Sequence, residues 1–195
     1  MAYDWVAALY DPLIRPLEKR YLVPWRQELM RHVHGTVLEV GIGTGANLGL
    51  YPATIALTGI EPSSGMLEHA RQKAHRLGLS VDLRQEGVER LDLPSDRFDT
   101  VVSTLVFCAV RDPLAGLSEV RRVLKPGGTL VMLEHTRSCR YCLNLLLRAV
   151  TPATAALFGE HFDRATADTV QEAGLTLVEN RLLGLEIFHL IRATK

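Results

Sequence analysis

Glu39 is a lone carboxylate near the end of an apolar run, and Gly41, Gly43 and Gly45 follow it at alternate positions in Thr36-Val37-Leu38-Glu39-Val40-Gly41-Ile42-Gly43-Thr44-Gly45-Ala46-Asn47. Glycine lets the backbone turn sharply and lets a ligand approach with no Cβ in the way. A glycine-rich turn that opens a helix also presents free N–H groups. Glu61 lies twenty residues beyond Gly41, where an acid at the end of a second strand accepts hydrogen bonds from ribose hydroxyls. Gly41-x-Gly43-x-x-Ala46 satisfies the dinucleotide fingerprint as well. These residues point to an adenosine-type cofactor held on a strand, a tight loop and a short helix.

Glu39 narrows the choice. A pyrophosphate is repelled by a carboxylate at the mouth of the first strand, whereas a cofactor carrying positive charge is attracted. S-adenosylmethionine is such a cofactor, with a sulfonium and an α-ammonium group. The alternative is a structural Glu39 that caps the loop's own N–H groups.

Other reactive side chains lie further along. His135 follows a β-rich run, on the carboxyl edge where open α/β sheets place their ligands. Its imidazole can titrate near neutrality, so it is the candidate catalytic residue; otherwise it orients the next loop. His161 stands in Gly159-Glu-His-Phe-Asp-Arg164 and either closes over the site or belongs to a helix cap with Asp163. His135, Cys139 and Cys142 spell H-x3-C-x2-C. A zinc site needs three or four ligands, and no fourth is close in sequence, so no metal is expected. Cys108 reads as a core residue.

The elements that must position these groups follow from pattern. Residues 3–34 read as one or two helices punctuated by Pro12, Pro16 and Pro24. Their aromatics, Tyr10 and Trp25 among them, either pack on the core or form a lid facing substrate. Strands are expected at 36–40, 55–60, 79–84, 98–103 and 129–134. A helix capped by Ser63 or Ser64 should stop at Gly78, and a helix opened by Asp112-Pro113 should end before Lys125-Pro-Gly-Gly128. Five alternations with long connections imply a parallel sheet covered by helices on both faces. Residues 140–157 read as apolar helix interrupted by Pro152, either a wall for a lipophilic substrate or a shallow membrane contact. A helix over 164–173 follows, and runs at 175–183 and 185–192 meet at Gly184, which permits only antiparallel pairing.

With 195 residues, the chain suits one domain: a lid over 1–34, a cofactor-binding core over 35–135, and substrate-side helices with a final strand pair over 136–195. Lys+Arg and Asp+Glu both number 22, which argues against nucleic acid as a partner. Three cysteines make no disulfide framework, so a cytoplasmic setting is expected. No run approaches about 18 apolar residues, so no transmembrane segment is expected, although peripheral membrane contact is compatible.

Leu38-Glu-Val-Gly-Ile-Gly-Thr-Gly45 resembles motif I of the class I S-adenosylmethionine-dependent methyltransferases. The likeness continues through Gly59-Ile-Glu-Pro-Ser-Ser-Gly-Met66, Leu93-Pro-Ser-Asp-Arg-Phe-Asp-Thr-Val-Val102 and Glu119-Val-Arg-Arg-Val-Leu-Lys-Pro-Gly-Gly128. Thr104-Leu-Val-Phe-Cys-Ala-Val110 and Glu134-His135 are most similar to the branch of small thiol and lipid-type methyltransferases. The resemblance implies a Rossmann-like α/β fold: a seven-stranded, mostly parallel sheet with one antiparallel strand and helices on both faces. It implies that Gly41, Gly43 and Gly45 line the methionyl part of the cofactor, with Glu39 near its ammonium, Glu61 on the ribose and Met66 on the adenosine. Ser103, Thr104 and Leu105 would sit beside the reactive methyl. Where the family often has an Asp for the adenine amine, this chain has Gly87-Val88, so that side-chain contact is missing, and backbone groups or Glu86 or Glu89 would have to replace it.

The activity implied is transfer of a methyl group from S-adenosylmethionine to a small, apolar acceptor, leaving S-adenosylhomocysteine. A thiol sulfur is the first choice, with Tyr10 and His161 on the substrate side. A phospholipid amine or a quinone-type ring is the alternative within the family. An NAD-dependent oxidoreductase or a non-catalytic cofactor-binding protein is the alternative outside it.

Overall fold

The computed structural model describes residues 21–135, 166–184 and 188–195. Tyr10, Cys139, Cys142, Pro152, His161 and the apolar helix expected over 140–157 lie outside the described residues. Seven strands form one sheet: β1 (Thr36–Val40), β2 (Ala56–Ile60), β3 (Asp82–Arg84), β4 (Phe98–Thr104), β5 (Leu124–His135), β6 (Thr176–Leu183) and β7 (Phe188–Thr194). Their spatial order is β3-β2-β1-β4-β5-β7-β6. The first five pair in parallel, and β7 runs antiparallel to both β5 and β6. One antiparallel strand in a seven-stranded sheet is the architecture expected from the sequence.

The order reverses between β1 and β4: β2 and β3 extend the sheet one way, β4 and β5 the other. At such a switch point the connections leave on opposite sides and open a crevice beyond the carboxyl ends of the two strands. Side chains alternate between sheet faces. Leu38, Val101, Leu130 and Met132 join one apolar core with α3 (Pro113–Val123) and α4 (Thr166–Glu172). Val37, Val102, Val131 and Leu133 join the other with α1 (Val23–Met30) and α2 (Ser64–Leu77). Glu39 therefore faces the α1 and α2 side together with Val37, while Glu134 faces the α3 side together with Met132.

The helix ends follow their local chemistry. The Ser63 hydroxyl accepts the Met66 N–H at 3.2 Å, and Asp112 accepts the Ala115 N–H at 3.0 Å with Pro113 in the first turn. Several boundaries differ from expectation. Gly78 is left-handed (φ 66°), and the Leu79 N–H returns to the Ala74 carbonyl at 3.0 Å. That closes the helix with residue 79, so β3 starts only at Asp82. β5 begins at Leu124 and runs through Lys125-Pro-Gly-Gly128, with a register shift opposite Phe98–Thr100 that absorbs the extra residues. After the glycine loop there is no full helix, only a 3-10 turn at Leu48–Leu50. The last strand, described over Phe188–Thr194, reaches beyond the expected end at 192.

Candidate functional site

A cavity of about 370 Å³ opens at the carboxyl ends of β1, β2 and β4. The glycine loop makes its floor. Gly41 and Gly43 both have positive φ (62° and 56°), a region that L side chains adopt only under strain. The space around them differs. A Cβ on Gly41 would lie 2.5 Å from Cγ2 of Val106, in the loop after β4, so the two loops touch. A Cβ on Gly43 would meet nothing closer than its own loop's carbonyl at 4.0 Å. Gly43 is thus the point where a ligand can lie directly on the backbone.

Gly45 does not line the cavity, contrary to the expectation that it would. It is buried, its N–H closes the turn on the Ile42 carbonyl at 2.9 Å, and a Cβ there would strike Leu48 at 2.5 Å. Its missing side chain serves the packing of the loop against α2. Ser103 is also turned away. It is fully buried on the other face of β4, where its hydroxyl donates to the Glu134 carboxylate at 2.7 Å. Alternation along the strand explains this, since neighbouring Thr104 takes the cavity side.

The remaining cofactor residues named from the sequence converge. Glu39, Gly41, Gly43, Glu61, Met66, Val88, Thr104 and Leu105 all line the cavity. Glu39 is 1% exposed. One carboxylate oxygen accepts the Asn47 side-chain amide at 2.6 Å and the other accepts the Tyr51 hydroxyl at 2.9 Å. Burial pushes its pKa up to about 7, against the lowering effect of those two bonds and of Arg26. The Tyr51 hydroxyl is pushed well above its usual range by burial and by Glu39, which keeps it a donor. Glu39 is held by side chains, so the capping of loop N–H groups considered from the sequence is not its role.

Glu61 performs that capping instead. Its carboxylate accepts the Gly43 N–H at 3.1 Å and the Ser63 N–H at 2.9 Å, tying the glycine loop to the start of α2. Glu89 accepts the Arg111 N–H at 3.2 Å and Glu86 accepts the Asp92 N–H at 3.1 Å. Both acids border the cavity beside Gly87 and Val88.

Sequence reasoning missed four participants. Asn47 is fully buried, and its amide donates to Glu39 and to Thr104 Oγ1 (3.1 Å). Arg26, from α1, is 7% exposed and donates to the Asn47 carbonyl oxygen at 3.2 Å. Tyr51 completes the shell around Glu39. Glu134, at the end of β5, accepts the N–H groups of Val106 and Phe107, each at 3.1 Å. These bonds and one from the Leu105 N–H to the Leu133 carbonyl (2.8 Å) hold Leu105 at a positive φ of 59°. The signal was present in part: a carboxylate closing an apolar strand must find donors once buried. His135 ends β5 in register with Phe188.

Residues 38–132 match the family model described as a methyltransferase domain. The chain is 36% identical over 159 residues to phosphatidylethanolamine N-methyltransferase of Cereibacter sphaeroides, covering 79% of this chain and 78% of the relative. It is 33% identical over 149 residues to thiol S-methyltransferase TMT1B of Rattus norvegicus, covering 74% of this chain but only 61% of that protein. The fold is shared with a SAM-dependent methyltransferase of Thermotoga maritima, described as a possible histamine N-methyltransferase. That match has a TM-score of 0.75 and 23% identity, and covers 100% of this chain and 98% of the other. With a switch-point cavity floored by glycines and flanked by Glu39 and Glu61, the chain belongs to the S-adenosylmethionine-dependent methyltransferases.

Proposed function

We propose that this cavity seats S-adenosylmethionine and that the methyl acceptor is a small lipophilic thiol. The observation that carries the first part is the presence, in one cavity, of a buried carboxylate and an uncovered glycine. Glu39 offers negative charge to an ammonium, Gly43 offers bare backbone to the methionyl chain, and Glu61 offers oxygens to the ribose hydroxyls. Met66 and Val88 supply the apolar sides of an adenosine slot. Glu86 or Glu89 takes the place of the family's adenine-binding acid.

Bound there, S-adenosylmethionine supplies a methyl group already primed to leave a sulfonium. The protein then has to align the acceptor and exclude water. Leu105, Val106, Ala109 and Val110 present an apolar wall on the β4 side, which suits a lipophilic acceptor. A cysteine-type thiol has a pKa of about 8.5 and is partly ionised at neutrality, so such an acceptor attacks with little help from a base. A phospholipid amine is the second reading, supported by the relative from Cereibacter sphaeroides. A protonated amine must first lose its proton, and His135, Tyr10 and His161 are the candidates on the acceptor side. A cytoplasmic enzyme that meets its acceptor at a membrane surface fits both readings. Among the described residues, no helix is long and apolar enough to cross a membrane.

The test is transfer of tritiated methyl from S-adenosylmethionine to an alkyl thiol, to phosphatidylethanolamine vesicles and to a quinol. Label in the thioether is the expected result. Label only in the lipid would replace the thiol reading with the amine reading.

A further inference from the structure

Arg26 carries an inference about how the cofactor's amino-acid end is recognised. It reaches the cavity from α1, thirteen positions before Glu39 in sequence and outside the residues that match the methyltransferase-domain model. Its guanidinium donates to the Asn47 oxygen at 3.2 Å, and the same Asn47 amide donates to Glu39 at 2.6 Å. One fully buried side-chain amide therefore holds a fixed cation and a carboxylate on either side of itself, and both border the same cavity.

An α-amino acid carries its ammonium and its carboxylate on a single carbon. The site presents the complement of that pair one amide apart. A guanidinium has five N–H donors in a planar fork, so holding Asn47 with one is compatible with holding a carboxylate with others. Bonds between an ionised donor and an ionised acceptor in a site shielded from water are the strong ones. Asn47 also donates to Thr104 Oγ1 at 3.1 Å, which fixes the amide's orientation from the β4 side.

We propose that Arg26 binds the α-carboxylate of the cofactor, so that Arg26 and Glu39, oriented by Asn47, form a clamp for the intact amino-acid end. This rests on the seating of S-adenosylmethionine proposed above. It makes α1 part of the cofactor site, and it makes the carboxylate a requirement for tight binding.

The experiment is isothermal titration of the wild type and of Arg26→Met with two ligands. One is S-adenosylhomocysteine; the other is its decarboxylated analogue, which keeps the adenosine, the thioether and the amine. The wild type should bind S-adenosylhomocysteine about ten- to a hundredfold more tightly than the analogue. Arg26→Met should lose that preference, its loss for S-adenosylhomocysteine exceeding by about tenfold or more any loss for the analogue that comes from releasing Asn47 and Glu39. Equal loss for both ligands would make Arg26 a structural prop and overturn the proposal, as would an undiminished preference in the variant. If Arg26→Met does not fold, the wild-type comparison still decides, because equal affinity for the two ligands removes the carboxylate contact. Failure of the wild type to bind S-adenosylhomocysteine at all would instead sink the cofactor seating on which the clamp depends.

Discussion

The carboxylate of Glu134, at the end of β5, accepts the backbone N–H of Val106 at 3.1 Å, and Val106 in turn stands over Gly41. The glycine loop and the loop after β4 are thereby positioned by one buried acid that is not among the residues lining the cavity.

Removing that acid should loosen the fold. Glu134→Ala strands the fully buried Ser103 hydroxyl and Phe107 N–H, and it also frees the half-buried Val106 N–H. Each buried donor left unsatisfied costs about 1–3 kcal/mol, so a loss of about 3 kcal/mol or more is expected in urea unfolding. Glu134→Gln keeps acceptor capacity and should lose less. A Glu134→Ala protein as stable as wild type would show that the loop does not depend on this carboxylate.

The two cavity glycines should respond differently to alanine. Gly41→Ala meets Val106 at 2.5 Å as well as a positive φ, so it should destabilise by about 1–3 kcal/mol. Combining it with Val106→Ala should recover part of that, which a double-mutant cycle measures. Gly43→Ala has room for its methyl on the cavity side of the loop. Beyond the strain of its backbone, it should act mainly by lowering affinity for S-adenosylhomocysteine.

Glu39 should make both stability and binding depend on pH. Its folded pKa is raised from 4.5 to about 7, so between these values the folded state binds the extra proton. The associated stability is fully present below about pH 4.5 and is lost as pH rises through about 7, a change of about 3 kcal/mol. Ligand binding should run the other way. A cationic ammonium needs Glu39 ionised, so affinity should rise with pH up to about 7 and then level off, with Arg26, Lys73 and Tyr51 as the other charged or titratable groups facing it. Glu39→Gln should flatten both profiles and weaken binding. Titration of S-adenosylhomocysteine at several pH values, alongside urea unfolding at pH 5 and 8, checks the pair of slopes.

Local signals in the chain were enough to place most elements. The caps at Ser63 and Asp112-Pro113, the stop at Gly78 and the alternation of β-rich runs with helices depend on near neighbours, which a sequence displays directly. The loop at Gly41 and Gly43 and the acids Glu39 and Glu61 were legible for the same reason, since type and spacing within a strand-turn unit define them. Seven β-rich runs and the antiparallel join at Gly184 were read from pattern, and the resemblance to the methyltransferases supplied their assembly into one sheet.

Tertiary structure alone decided which way the side chains face and whom they meet. Gly45 and Ser103 were both expected at the cofactor but turn into the core, because packing against α2 and the alternation of β4 place them there. Arg26, Asn47 and Tyr51 surround Glu39 only after α1 and the turn beyond the glycine loop have packed on one face of the sheet. Glu134 reaches Val106 across 28 residues of chain because β4 and β5 lie in register. These contacts arise from burial and pairing between distant segments, where no local period or spacing records the partner.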